Sequence, residues 1–143
     1  MNYQVRNKHR NLIHGELTYT LIGLIYDVRN QYGNGQKEIV YQNALAEKLG
    51  SKNITHQREV VITIASEDTG KALGAYRLDF VVDNKVIIET KAMKFTPQKI
   101  ENQLFDYLKH TPYEVGLLVN FASSRLYIKR VILTKDYANN RSC

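Results

Sequence analysis

The sequence is poor in the residues that cross-link or interrupt small proteins. It contains one cysteine, Cys143, two prolines and no tryptophan in 143 residues. One cysteine cannot form a disulfide within the chain, which excludes a disulfide-framework protein and favours a reducing, cytoplasmic setting. The length and a hydrophobic content of 43% are ordinary for one globular domain with its own core. We therefore expect residues 1–143 to form a single domain.

Long apolar runs are also missing. No stretch approaches the roughly 20 apolar residues that span a bilayer, and the first ten residues are polar. They do not form the basic patch followed by a hydrophobic segment that marks a secretory signal. We therefore expect neither membrane association nor secretion.

Acidic residues are the minority among the charged residues. Fourteen Asp and Glu stand against twenty Lys and Arg, which gives a formal net charge of +6 at pH 7. This balance favours a polyanionic partner such as nucleic acid through counterion release. A solvated basic surface without such a partner explains the charge equally well.

The apolar pattern predicts two helices followed by a sheet. Apolar residues recur at helical spacing over residues 17–32, where Gly33 and Gly35 end the helix, and again from Glu38 to Leu49. Alternating and continuous apolar segments then predict five strands and one helix that begins near a proline. The strands are at about 59–65, 75–82, 86–91, 115–119 and 125–133, and the helix at about 97–109. This order predicts an α/β (α+β) fold, a mixed sheet flanked by helices with a helical hairpin in front.

The register of the second and third strands can be inferred from their side chains. A two-residue loop at Asp83-Asn84 would pair Asp79 with Ile88 and mix charged with apolar residues on both faces of the hairpin. A three-residue loop instead pairs Val82 with Val86 and Asp79 with Glu89. We predict the second register, in which Leu78, Phe80, Val82, Val86 and Ile88 share an apolar face.

In this register the opposite face, which also carries Val81 and Ile87, gathers Arg77, Asp79, Glu89 and Lys91. Two carboxylates that face each other across strands repel, and a bound cation would remove that conflict. Carboxylate and carbonyl oxygens suit Mg²⁺ or Mn²⁺, and no His or Cys cluster has zinc spacing. A solvated hairpin in which Arg77 and Lys91 neutralise the acids remains the alternative.

Beyond these residues, the chain resembles the GxxExxY proteins, a branch of the PD-(D/E)XK nuclease superfamily. The naming motif is present as GQKEIVY at residues 35–41, followed by Ala44-Leu45. The similarity continues through YRLDF at 76–80, ETK at 89–91, Gln103 with Tyr107-Leu108, and GLLVNF at 116–121. It covers residues 17–133. An acid-x-Lys triplet alone recurs by chance, whereas five such pieces in order are specific.

The resemblance implies a restriction-endonuclease-like core and an active site. Glu38, Asp79, Glu89 and Lys91 take the catalytic positions, and Gln103 takes that of a helical glutamine, which we place on the inward side of its helix. Glu38, Asp79, Glu89 and the backbone carbonyl of Thr90 would bind the metal. Arg77, Lys94 and Lys99 are candidate nucleic-acid contacts, and solubility is the alternative explanation for each. Without the resemblance, Glu38 is explained by the helix dipole and Gln103 by buried backbone groups.

The implied function is metal-dependent hydrolysis of phosphodiester bonds in nucleic acid, with DNA favoured over RNA. The alternative is a nucleic-acid-binding or protein-interaction module without catalysis on the same scaffold, since fold does not fix function. A homodimer or a larger defence or repair complex is compatible with either. The intact set of Glu38, Asp79, Glu89, Lys91 and Gln103 argues against the module without catalysis.

Overall fold

The computed structural model describes residues 12–135. Cys143 and the polar first ten residues lie outside this range. The described residues form three helices and five strands in the predicted order: α1 (Gly15–Tyr32), α2 (Glu38–Ser51), β1 (His56–Ala65), β2 (Ala72–Val82), β3 (Val86–Lys91), α3 (Gln98–Lys109), β4 (Val115–Asn120) and β5 (Tyr127–Ile132). Within this range no helix is both long and apolar enough to cross a membrane.

The helical hairpin is closed by a glycine and a tyrosine. Gly33 ends α1 at φ 73°, a left-handed conformation that glycine adopts without strain, and its N–H donates to the carbonyl of Arg29. The buried hydroxyl of Tyr41 in α2 donates to the Gly33 carbonyl at 2.7 Å and accepts from the Gln36 N–H at 3.1 Å. These two bonds fix the start of α2 relative to the end of α1.

The sheet has the order β1-β2-β3-β4-β5, in which β3 and β4 are parallel and all other neighbours are antiparallel. The parallel pair requires a crossover, which α3 supplies. At Gly116 in β4 a Cβ atom would lie 2.9 Å from a methyl group of Leu104, so glycine there allows α3 to approach the sheet closely. The result is the mixed, helix-flanked sheet that the sequence predicts.

Helices cover both faces of this sheet. The residues packed beneath α1 and α2 include Phe80, Val82, Val86, Ile88 and Phe121, and those packed beneath α3 include Leu78, Val81, Ile87 and Leu118. The prediction that Val81 and Ile87 lie on a polar face is therefore wrong, because α3 turns that face into a second core. All six residues of β4 are buried, as expected for a central strand.

The predicted register of β2 and β3 is confirmed. Val82 pairs with Val86 and Phe80 with Ile88, across a loop whose Asp83 and Asn84 adopt φ 51° and 53°. Asp and Asn tolerate this left-handed backbone better than other residues with a Cβ. The loop therefore accommodates three residues, as the matching of apolar side chains requires.

The alternation of side chains in β2 is interrupted at Asp79. Leu78 belongs to the core beneath α3 and Phe80 to the core beneath α1 and α2, although strict alternation would place both on one face. The prediction of a shared face for Leu78 and Phe80 is wrong for this reason. In β1, Glu59 lies between the partners of these two residues and has φ 54°, an uncommon backbone conformation for glutamate. The sheet is thus locally irregular on both strands at Asp79.

Candidate functional site

The candidate site lies where β2 and β3 separate. Regular pairing ends at Phe80 and Ile88, and one further step along both strands places Asp79 opposite Glu89. At this point hydrogen bonds from backbone N–H groups to the two carboxylates take the place of backbone–backbone hydrogen bonds. The Asp79 N–H donates to Glu89 Oε1 at 3.0 Å, and the Thr90 N–H donates to Asp79 Oδ2 at 2.8 Å. The two carboxylates are therefore held in a gap between the strands rather than on an open face of the hairpin.

Glu38 reaches this gap from the first turn of α2. The Thr90 hydroxyl lies 3.3 Å from Glu38 Oε1 and 3.1 Å from Asp79 Oδ2, so one buried side chain joins the two acids. Tyr41, one turn later, stacks on Phe121 at a centroid distance of 4.6 Å and fixes the orientation of this turn. The structure thus brings together Glu38, Asp79, Glu89 and Thr90, four of the residues that the sequence indicates.

Gln42 belongs to the same network, although we did not predict it. Its Nε2 donates to the Thr90 hydroxyl at 2.8 Å. Because the hydroxyl accepts this bond, its own hydrogen remains for Glu38 or Asp79. Gln42 lies four residues after Glu38 and therefore on the same side of α2, although this spacing is too common to identify it from the sequence by itself.

The ionisation of Glu89 and of Glu38 is disfavoured at this position. Burial, and then the charge of Asp79, raises the pKa of Glu89 to about 8, and the Glu89 side chain is only 5% exposed. Burial and Asp79 also raise the pKa of Glu38, against which Lys91 and the Thr90 hydroxyl act. In α3, burial and then Glu89 raise the pKa of Tyr107 to about 12. A cation bound in the gap would favour the ionised forms of Glu89 and Glu38.

The donor atoms fit a hard divalent cation in part. Among residues 12–135, no three His, Cys, Asp or Glu side chains are arranged closely enough to hold a metal by themselves. We expected the carboxylates of Glu38, Asp79 and Glu89 to converge, but the three do not lie close enough together to bind a metal without other donors. Asp79 and Glu89 supply two carboxylates, and Mg²⁺ sites commonly need no more than this together with waters. Glu38 is then in place to reach the ion through a water.

The Thr90 carbonyl is a suitable third donor. The Lys91 carbonyl accepts from the Phe121 N–H at 2.9 Å and therefore faces β4, whereas the Thr90 N–H faces β2. The N–H and C=O groups of one strand residue point to the same side, so we infer that the Thr90 carbonyl faces the gap between β2 and β3. Two carboxylates and a carbonyl are the donor types that Mg²⁺ or Mn²⁺ prefers.

Lys91 ends β3 at the border of the site. It pairs with the buried Asn120 in β4, and its charge acts on both Glu38 and Glu89. Its side chain is partly exposed, so the ammonium can face both the carboxylates and solvent. This location suits a group that contacts a substrate phosphate.

Gln103 is not placed as predicted. The buried stripe of α3 consists of Ile100, Leu104, Tyr107 and Leu108, and Gln103 lies beside this stripe with an exposed side chain. The prediction that it faces inward is wrong, because the position lies just beyond the edge of the buried arc. Among the described residues no hydrogen bond joins Gln103 to the carboxylates.

The candidate nucleic-acid contacts lie on the surface. Arg77, Lys94 and Lys99 are all exposed. Arg77 is in β2 two residues before Asp79, and Lys94 is in the segment between β3 and α3, where its Nζ lies 5.7 Å from the centre of the Phe95 ring. All three are available to an external anion.

Comparisons with known proteins support this interpretation of the fold. Residues 15–131 match a family model described as the PD-(D/E)XK nuclease superfamily. No curated protein matches the chain. The crystal structure of SSO0001 is similar to this fold with a TM-score of 0.54 and 18% sequence identity, over 95% of this chain and 63% of that protein. At this identity the likeness supports the fold alone.

Proposed function

Because this chain belongs to the PD-(D/E)XK nuclease superfamily, we propose that it is a metal-dependent nuclease that hydrolyses phosphodiester bonds, in DNA rather than RNA. The observation that carries this proposal is the network at the gap between β2 and β3. The Thr90 hydroxyl lies within hydrogen-bond distance of both Glu38 and Asp79, and the Thr90 N–H donates to the Asp79 carboxylate. The backbone N–H of Asp79 donates a hydrogen bond to the Glu89 carboxylate. These residues all lie within the range that matches the family model.

The metal would be held by Asp79, Glu89 and the Thr90 carbonyl, with Glu38 contacting it through water. Mg²⁺ or Mn²⁺, when bound, would polarise the phosphate and lower the pKa of a coordinated water. The raised pKa of Glu89 supports this assignment, since a cation supplies the charge that the buried carboxylate lacks. Gln42 and Thr90 keep the acids in position between reactions.

The side chains at the border of the site act on the substrate. Lys91 orients the attacking water and offsets the negative charge that develops on the phosphate. Its charge interacts favourably with the ionised forms of Glu38 and Glu89. Gln103 remains a candidate for positioning the scissile phosphate from the exposed side of α3. Arg77, Lys94 and Lys99 contact phosphates farther along the substrate.

Within the superfamily we assign the chain to the GxxExxY branch. The motif residues have structural roles here: Glu38 contacts Thr90, and Tyr41 closes the connection between α1 and α2. We also propose that residues 1–143 form one domain that acts in the cytoplasm, as a homodimer or within a defence or repair complex. The basic net charge of +6 is compatible with a nucleic-acid partner.

A substrate panel tests the proposal. Labelled single- and double-stranded DNA and RNA are incubated with the native protein, Lys91→Ala and Lys85→Ala, in Mg²⁺, Mn²⁺ or a chelator. Lys85 precedes β3 at its other end, where it forms an exposed ion pair with Asp83, and serves as the matched control. We expect metal-dependent cleavage by the native protein and Lys85→Ala, and none by Lys91→Ala.

The same panel distinguishes the alternative function. A native protein that binds nucleic acid but cleaves no substrate in either metal would contradict the nuclease assignment. If Lys91→Ala then lowers only affinity, the chain is a binding module on a nuclease scaffold. Retained binding with lost cleavage in Lys91→Ala supports the enzyme instead, because one phosphate contact is a small part of an extended electrostatic interface.

A further inference from the structure

The segment between β3 and α3 exposes an aromatic ring next to the site. Phe95 is 74% exposed, the highest value among the large hydrophobic side chains of the described residues, and its neighbour Met93 is 37% exposed. A single exposed apolar residue is common on protein surfaces and needs no explanation by itself. The way in which this segment is held and charged makes Phe95 different.

A buried asparagine fixes the backbone around Phe95. Asn120 is fully buried, its Oδ1 accepts from the Met93 N–H at 3.0 Å, and its Nδ2 donates to the Thr96 hydroxyl at 2.8 Å. These bonds tether the segment on both sides of Phe95. A ligand that contacts the ring therefore meets a surface that is already ordered, which reduces the entropy lost on binding.

The ring is also close to the site and next to a positive charge. Phe95 is four residues after Lys91, so their Cα atoms are at most about 14 Å apart. The Lys94 Nζ lies 5.7 Å from the ring centre, and Lys99 is exposed at the start of α3. An apolar protein partner would have to desolvate these lysines. An anionic ligand with a flat aromatic group matches both features.

We propose that Phe95 stacks on an unpaired base of single-stranded DNA while Lys94 contacts its phosphate. This inference rests on the proposed function and narrows its substrate to DNA with a single-stranded region beside the scissile bond. A base in a continuous duplex is covered on both faces by its neighbours, so the ring cannot stack on it without unstacking. A single strand presents free base faces to the fixed ring.

The absence of tryptophan from the sequence makes a direct test available. In Phe95→Trp the indole is the only tryptophan, and its fluorescence is quenched when a base stacks on it. Leu12→Trp is the matched control, because Leu12 is 41% exposed and lines one surface cavity with Lys85, which precedes β3 at the end remote from Lys91. Both variants are titrated in a chelator with a thymine oligonucleotide, a blunt DNA duplex and a uracil oligonucleotide. Anisotropy of labelled strands measures binding in parallel.

We expect single-stranded DNA to quench Phe95→Trp and to leave Leu12→Trp unchanged. Phe95→Leu should bind the single strand about 5- to 150-fold more weakly than the native protein, with little change for the duplex. Equal quenching by the duplex, equal quenching of both tryptophans, stronger quenching by RNA, or binding without quenching would each overturn the inference. An absence of binding to any strand would overturn it as well.

Cleavage by the native protein is measured separately, so the two proposals can fail independently. Metal-dependent cleavage of duplex DNA that does not change in Phe95→Leu would leave the nuclease in place and refute the single-strand inference. Quenching by single-stranded DNA without cleavage of any substrate would support the stacking role of Phe95 and refute the nuclease.

Discussion

The two ends of the β2–β3 hairpin are built differently. At the turn, Val82 pairs with Val86, both are fully buried, and the backbone ladder is regular. At the other end the ladder stops, and Asp79 and Glu89 bond to backbone N–H groups across the gap. Apolar burial holds the turn end. At the open end hydrogen bonds to two acidic side chains hold the strands, and burial there disfavours the ionisation of Glu89. Changes at the turn end should therefore affect stability alone, whereas changes at the open end should affect chemistry, metal binding and pH response together.

The largest expected effect comes from a pair of aspartates at the two ends. Asp79→Asn should lower metal-dependent cleavage by more than about 100-fold, since even residues that only support a metal ligand contribute about 10- to 100-fold. Asp83→Asn, in the exposed turn, should leave the rate nearly unchanged because asparagine also tolerates the left-handed backbone of that turn. Initial rates at saturating substrate measure both. Equal losses in the two variants would show that the ends are not functionally distinct.

The next effect concerns the pH dependence of stability without metal. The pKa of Glu89 is about 8 in the folded protein and near 4.3 in an unfolded chain. The folded state therefore holds a proton that the unfolded state releases, and the free energy of unfolding should fall as pH rises between these values, by up to about 1.4 kcal/mol per pH unit. The raised pKa of Glu38 acts in the same direction.

Glu89→Gln should largely remove this decline, because glutamine has no proton to lose. Chemical denaturation of both proteins from pH 5 to pH 9 in a chelator measures the difference. Ile88→Ala, which shortens the neighbouring buried side chain, should instead lower stability by about 2–5 kcal/mol at every pH. A pH profile of Glu89→Gln that is parallel to the native profile would contradict the assignment.

A smaller effect is expected from the Thr90 hydroxyl. Thr90→Val leaves Gln42 Nε2 without its acceptor and Asp79 and Glu38 without a shared donor. The free energy of unfolding should fall by about 1–3 kcal/mol. The affinity for Mn²⁺ should also fall because the acids are less well positioned. Thr90→Ser retains the hydroxyl and should retain most of both properties. If serine and valine behave alike in Mn²⁺ titrations, the hydroxyl does not position the carboxylates.

The smallest expected effect tests the irregularity opposite Asp79. Glu59 has φ 54°, so Glu59→Gly should relieve a backbone conformation that costs about 1 kcal/mol and should preserve Mn²⁺ affinity. Glu59→Val disfavours the left-handed conformation and should weaken Mn²⁺ binding if that conformation directs the Asp79 side chain. Unchanged affinity in the valine variant would separate the irregularity in β1 from the site.

Much of the fold follows from apolar matching, and the departures have local causes. The register of β2 and β3 was predictable because only one register avoids burying charge among apolar residues. The side of the sheet on which Leu78 lies was not predictable. Nothing in the sequence indicates that Glu59 adopts a left-handed backbone conformation or that β2 is irregular at Asp79. The second core beneath α3 was missed because Val81 and Ile87 alternate with charged residues, which is also typical of a solvated face.

The site was predictable to a similar extent. The sequence indicates Glu38 through the resemblance and the Asp79–Glu89 pair through the register, and the structure places all three beside Thr90. The roles assigned to them stay predictions. Gln103 lies just beyond the buried side of α3. The apolar pattern does not define the edge of the buried side closely enough to exclude this position. Gln42 shares the side of Glu38, but a polar residue four positions later is too common to select by spacing alone.

The central claim is that the open end of the hairpin holds a divalent cation between Asp79 and Glu89. The most direct measurement compares the melting temperatures of the native protein and Asp79→Asn with and without Mn²⁺ at pH 8. We predict that Mn²⁺ raises the melting temperature of the native protein by several degrees, since a ligand that binds the folded state at 100 times its Kd adds about 2.7 kcal/mol of stability. The shift should be much smaller in Asp79→Asn. Equal shifts in the two proteins would show that the cation binds elsewhere and would contradict the account.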